Sequence, residues 1–161
     1  MLWPTSLPCV KWLSLPCVKC LQVCHLSNDG QGIQEECVCC QEIQVLQDKN
    51  EEVFKVEKLQ TPYSCITYNP GFHAVCINRW SLQAAWFQYK QQYGTKAFEG
   101  TEHKNQRHIA YRQLVCWCWG VLGKEIQVVL PACAVSCIRA HFPPLGEEDE
   151  HAFIGFLFAD E

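Results

Sequence analysis

Between Asn69 and Gly94, apolar residues recur at helical spacing. Phe72, Val75, Leu82, Trp86, Tyr89 and Tyr93 form one stripe, while Gln83, Lys90 and Gln91 fall elsewhere on the wheel. Asn69 can cap, Pro70 suits the first helical position and Gly94 suits the position after the end, so the pattern predicts a helix over 69–94. A second helix is predicted over 105–122, stopped by Gly123, with Ile109, Val115, Trp119 and Leu122 as its stripe. The β-branched run Ile126 to Leu130 predicts a short buried strand. Pro131 then opens a third helix, which Phe142-Pro143-Pro144 stops.

The first half is less periodic. Residues 35–49 predict a short helix carrying Cys39 and Cys40, after a polar loop over 27–32. The charge-rich stretch 48–60 reads as a solvated connector. Ser6-Leu-Pro-Cys-Val-Lys recurs from Ser14, two copies that are too few and too short for a solenoid. The chain therefore divides into an irregular or disordered lead-in over 1–16 and one domain over 17–161. An acidic segment at 147–150 is expected to be solvated, and the apolar run 153–158 to dock on the core. The fold class is mainly α with a few short β-strands (α+β).

Composition narrows the function. At 161 residues, with 48% apolar and 12% aromatic residues, the chain is long and hydrophobic enough for a core, which excludes a disordered or fibrous chain. A net charge of −4 makes nucleic acid an unlikely partner. The basic stretch Arg79 to Arg112 and the acidic last 15 residues read as ordinary solvated surfaces. Pro4, Pro8, Lys11, Pro16 and Lys19 break up the N-terminal apolar run, so no signal peptide is expected. No 18-residue apolar run is present, so no transmembrane segment is expected either. The expected location is cytoplasmic.

Thirteen cysteines then become the informative feature. In a reducing compartment clustered cysteines are more often metal ligands than disulfides, and an odd count leaves at least one thiol unpaired within the chain. Cys17-Val-Lys-Cys20 is a C-x-x-C bite, followed by Cys24 and by Cys37-Val-Cys39-Cys40. Adjacent Cys39 and Cys40 do not easily chelate one tetrahedral ion together, so each would serve a different ion, a pattern that suggests two metals. The bland alternative is a set of buried free thiols, since cysteine packs as a small hydrophobe. Cys116 and Cys118 must point to different faces of their helix, whereas Cys133 and Cys137 share one. Arg107, His108 and Tyr111 lie close together on the second predicted helix and offer donors and a ring to an anion or nucleotide edge. From spacing alone, a helix face with its own internal contacts is the stronger reading.

Several blocks in order carry a resemblance. They are Cys39-Cys40-Gln41-Glu42-Ile43, Ser64-Cys65-Ile66-Thr67, Pro70-Gly71-Phe72-His73-Ala74-Val75-Cys76 and Arg107-His108-Ile109-Ala110-Tyr111-Arg112. Trp117-Cys118-Trp119-Gly120, Val129-Leu130-Pro131-Ala132-Cys133, Ile138-Arg139 to Phe142-Pro143 and Gly155-Phe156 continue the series. From about Cys17 to Phe156 the chain resembles the intracellular C-terminal (ballast) domain of P2X purinoceptor 7 and its free-standing relatives. The resemblance implies a stand-alone domain that conducts no ions.

It also implies a dinuclear zinc centre held by cysteines. Cys39, Cys40, Cys65 and Cys133 fall on matching motif positions, Cys17 and Cys20 fit the second half of an N-terminal C-x-C-G-x-C signature, and Cys24 offers a competing register. A guanine-nucleotide site is implied as well, with Arg107, His108 and Tyr111 matching and the backbone from Val128 to Leu130 meeting the base. Val135 and Pro144 stand where the receptor has basic residues, which implies weak nucleotide binding. The expected function is a non-enzymatic, zinc-stapled cytosolic module for protein interaction, with about two zinc ions and a weak guanine-nucleotide site. The alternative is an enzyme using a cysteine nucleophile or zinc-bound water.

Overall fold

The computed structural model describes residues 38–94, 100–122 and 126–145. Helix α1 spans Gln44–Val56, later than the predicted 35–49. A 3-10 turn at Cys40–Glu42 precedes it, so Cys39 and Cys40 lie ahead of the helix rather than on it. The charge-rich stretch taken for a connector is helical as far as Val56. Leu46 and Asn50, four apart, bury one face, and Glu51–Lys55 and Lys49–Glu52 pair along the exposed side at 3.5 and 3.3 Å.

The single helix predicted over 69–94 is two. Helix α2, Pro70–Phe72, runs into a π-turn at His73–Ile77, closed by Asn78 N–H donating to the His73 carbonyl at 2.8 Å. Asn78 is extended, and its side chain accepts from the amides of Trp80 and Ser81 to start helix α3, Arg79–Tyr93. An asparagine whose side chain competes for backbone donors ends one helix and caps the next. The expected cap at Asn69 is present: its Oδ1 accepts from Gly71 N–H at 2.8 Å. Fully buried, Asn69 also donates to the Lys49 carbonyl and to Asn50 Oδ1, which ties α2 to α1.

Helix α4, Glu102–Trp119, begins at a Thr101 cap and ends at Gly120 rather than at Gly123. Gly120 has φ +75, a backbone suited to glycine. Of the predicted stripe only Ile109 is fully buried. Ala110, Leu114 and Cys118 face the core, while Val115, Trp119 and Leu122 are half-buried. Helix α5, Ala132–His141, matches its prediction and buries Ala132, Cys133, Ala134, Val135 and Ile138.

The expected strand at 126–130 does not form. Among the described residues there is no strand at all, so the architecture is helical and not α+β. Ile126 and Val129 are 58% and 56% exposed. A β-branched run needs a neighbouring edge to pair with, and here its surroundings are helices. Helix α4 is central, contacting α1, α3, α5 and the π-turn around Phe72, Leu82, Leu114 and Ile138.

Candidate metal centre

Three cysteines from three separate elements converge. Cys40 opens the first 3-10 turn, Cys65 precedes a second at Ile66–Tyr68, and Cys133 lies in the first turn of α5. Their Sγ atoms all lie within 4.8 Å of one another, and all three are buried. Cys40 Sγ is 3.8 Å from Cys65 Sγ. The backbone supports the arrangement, since Ala132 N–H donates to the Val38 carbonyl at 3.0 Å and holds the start of α5 against the chain leading into Cys39 and Cys40.

The electrostatics favour a thiolate here. Hydrogen bonds from Cys133 and Cys40 lower the Cys65 thiol from 9.0 to about 2, and Thr67 adds to them against the opposing effect of burial. Thr67 Oγ1 lies 3.2 Å from Cys65 Sγ. Three soft donors in an apolar setting form a donor set suited to zinc, whose charge would compensate thiolates that otherwise repel one another.

The remaining expected ligands divide. Cys39 is buried beside this group but outside it, its Sγ 3.5 Å from the Gln41 amide. Cys17, Cys20 and Cys24 lie outside the described residues. Cys116 is exposed and Cys118 buried, on different faces as their spacing requires.

The expected nucleotide residues also separate. Arg107 is buried at 6% exposure, and its Nη1 donates to the Phe142 carbonyl at 2.6 Å. Burial raises the Tyr111 hydroxyl's pKa, and the guanidiniums of Arg139 and Arg107 oppose that rise. Arg139, which also hydrogen-bonds Tyr111, was not among the residues expected at this site; one arginine in a basic last turn carries no sequence signal of its own. His108 turns instead towards α3, its ring 5.3 Å from that of Tyr89 and nearly perpendicular to it. Burial lowers the His108 pKa, and Arg112 lowers it further. Leu130 packs on the core, Val128 is half-buried and Val129 is exposed.

No helix among the described residues is long and apolar enough to cross a membrane. No curated protein and no solved structure matches the chain. Residues 14–155 match a family described as the P2X purinoreceptor 7 intracellular domain, a span that takes in Cys17 and Cys133 and every candidate ligand between them. The chain belongs to the P2X purinoreceptor 7 intracellular domain family.

Proposed function

We propose that this domain is a non-enzymatic, cytosolic zinc-binding module that docks other proteins. The observation that carries the reading is the buried trio Cys40, Cys65 and Cys133, three thiols brought together from three elements. Cys39 and the N-terminal Cys17, Cys20 and Cys24 would complete the ligand set for about two ions. Exposed aromatic residues support a docking role: Trp80 and Phe87, 73% and 62% exposed, lie seven apart on α3 and so share a face.

An enzyme using a cysteine nucleophile is the weaker reading. Cys137 Sγ lies 3.8 Å from His141 Nδ1, but that nitrogen is also 2.8 Å from the Cys137 carbonyl. A carbonyl only accepts, so Nδ1 carries a proton and cannot take one from the thiol. A weak guanine-nucleotide site is a second reading, favoured by the meeting of Tyr111 with Arg139 and Arg107.

Metal analysis of protein purified under reducing conditions tests the zinc reading. About two zinc ions per chain are expected, fewer in Cys65→Ala, together with loss of helix content in that variant. A metal-free protein with full native helicity and stability would overturn it.

A further inference from the structure

Helix α3 presents two adjoining apolar features among the described residues. Trp80, Gln83 and Phe87 lie three and four residues apart and so share one stripe, on which both aromatic rings are exposed. Beside it runs a groove of about 320 Å³ between α3 and α4, lined by Leu82, Gln83 and Trp86 on one side and by Glu102, Gln106 and Ile109 on the other. Gln83 belongs to both, so stripe and groove form one surface. Helix α3 carries Arg79 and Lys90 and no acid, and Lys104 adds a cation in the first turn of α4. Lys90 Nζ lies 5.0 Å from the centre of the Trp86 ring, while Glu102 is already paired with Arg79 at 2.8 Å.

The chain leaves α5 beside this surface. The Phe142 carbonyl accepts from Arg107, and the Pro143 carbonyl accepts from His103 Nδ1 at 2.7 Å, both from the first two turns of α4. Glu102 and Gln106, which line the groove, are the sequence neighbours of His103 and Arg107, so about a quarter turn of α4 separates the exit from the groove. Leu145 is exposed, and residues 146–161 lie outside the described residues. Within them the acids Glu147 to Glu150 come first, and the apolar run 153–158, expected from the sequence to dock on the core, follows. From Leu145 to Phe153 the chain spans up to about 26–29 Å, against a helix diameter of about 10–12 Å.

From this placement we infer that the occupant of the α3–α4 surface is the chain's own C-terminal segment, 146–161, with an aromatic side chain of 153–158 in the groove beside Trp86. The order of residues suits the order of the surface. The acids stand nearest the exit, where α3 and α4 begin with Arg79 and Lys104, and the apolar run follows, where Trp86 and Phe87 lie further along α3. Burying the run against exposed aromatic surface removes both from water, and the acid–cation attraction sets the direction in which the segment lies. The inference goes beyond the docking reading above: a partner protein that docks on Trp80 and Phe87 must first displace this segment, which makes the C-terminus a competitor for the docking face.

The test is photo-crosslinking of the full-length protein, purified under reducing conditions, with Phe156→p-benzoylphenylalanine and the products mapped by peptide mass spectrometry. Cross-links within one chain to 79–90 or 102–109 are expected, with a yield unchanged on dilution and lowered severalfold at high salt, where screening is complete within a few ångströms. Trp80→Ser/Phe87→Ser should lower the yield severalfold; both side chains are exposed, so helix content by circular dichroism should stay at the wild-type level. Glu148→Lys/Glu150→Lys, in the segment itself, should lower it without touching the helices. Cross-links that fade on dilution would assign the surface to a second copy of the chain and overturn the inference. So would links only to other elements, no link at all, or a yield that neither double variant changes. Metal analysis of the same sample keeps a failure here distinct from a failure of the zinc reading.

Discussion

A methyl group on Gly71 would lie 2.6 Å from Cζ2 of Trp117 and 3.2 Å from its Cη2. Helix α2 therefore rests on the indole of α4 at a point where only a hydrogen fits. Gly71→Ala should destabilise the domain although alanine is the better helix former. Helix propensity favours alanine by about 1 kcal/mol at most, whereas overpacking a filled interface costs typically 1–3 kcal/mol. Trp117 is a rigid ring packed on the core, so relief requires α2 and α4 to shift. Urea unfolding followed by tryptophan fluorescence should show a lowered midpoint. A midpoint at or above wild type would mean that the indole moves freely.

Arg107 is expected to act as a structural residue first. Its buried guanidinium donates to the Phe142 carbonyl, where the chain leaves α5. Arg107→Ala leaves that carbonyl without this charged donor, and hydrogen bonds to charged groups contribute about 1.5–3 kcal/mol. Stability should fall by about 2 kcal/mol on that scale, with partial recovery in Arg107→Lys. Differential scanning calorimetry on zinc-loaded protein measures both, and an unchanged Arg107→Ala would show that the bond contributes nothing net.

How much of this was legible in the sequence depends on where the deciding interaction lies. Helix α5 was readable because Pro131 and Phe142-Pro143 are local stop and start signals. The break at Asn78 was not, because an asparagine in an amphipathic run reads as surface until its side chain is seen capping Trp80 and Ser81. The run 126–130 has strand composition, but strand formation depends on a partner edge that no local pattern reveals. In the candidate metal centre, Cys40 stands out by its place in the cysteine cluster, while Cys65 and Cys133 are reached only through resemblance, since residues this far apart follow no spacing rule. Cys39, expected to serve a different ion from Cys40, lies outside the trio, its thiol accepting from the Gln41 amide in the turn that Cys40 opens. Arg107 and His108, adjacent in sequence, face α5 and α3 respectively, as consecutive helical residues must diverge.

Burial of two thiols predicts a loss of stability in alkali. Burial raises the Cys118 thiol from 9.0 to about 12, and Cys76 rises further, pushed by burial and by neighbouring Cys118 and Cys137. A raised thiol favours the neutral form in the fold. Its contribution is complete below pH 9 and is lost as pH climbs from 9 towards 12. Denaturant unfolding of the protein without chelator, from neutral pH to about pH 11, measures this arm, each thiol adding a slope of up to about 1.4 kcal/mol per pH unit. Cys118→Ala should lower the slope by one thiol's share and leave that of Cys76 in place. Stability rising through pH 10 in wild type would contradict the assignment.

Guanine-nucleotide binding should be weak, and Arg139 should carry what there is. Arg107 has one nitrogen committed to the Phe142 carbonyl and is buried, so little of it faces a phosphate. His108 is directed at Tyr89, away from Tyr111 and α5. Val135 and Pro144 offer no charge where the resemblance leads one to expect cations, and Val135 is itself buried. Arg139 remains, half-buried, hydrogen-bonded to Tyr111 and in reach of the same face. Calorimetry with GDP on zinc-loaded protein should give low affinity that falls further as salt is raised, because screening weakens exposed charge contacts. Arg139→Ala should reduce that affinity roughly ten- to hundredfold, the equivalent of one charge-assisted contact of about 1.5–3 kcal/mol. His108→Ala should leave it nearly unchanged if the ring keeps its place against Tyr89. Tight GDP binding that survives Arg139→Ala but is lost in His108→Ala would move the site to the α3–α4 face, where Arg112 lies 4.9 Å from the centre of the Tyr89 ring.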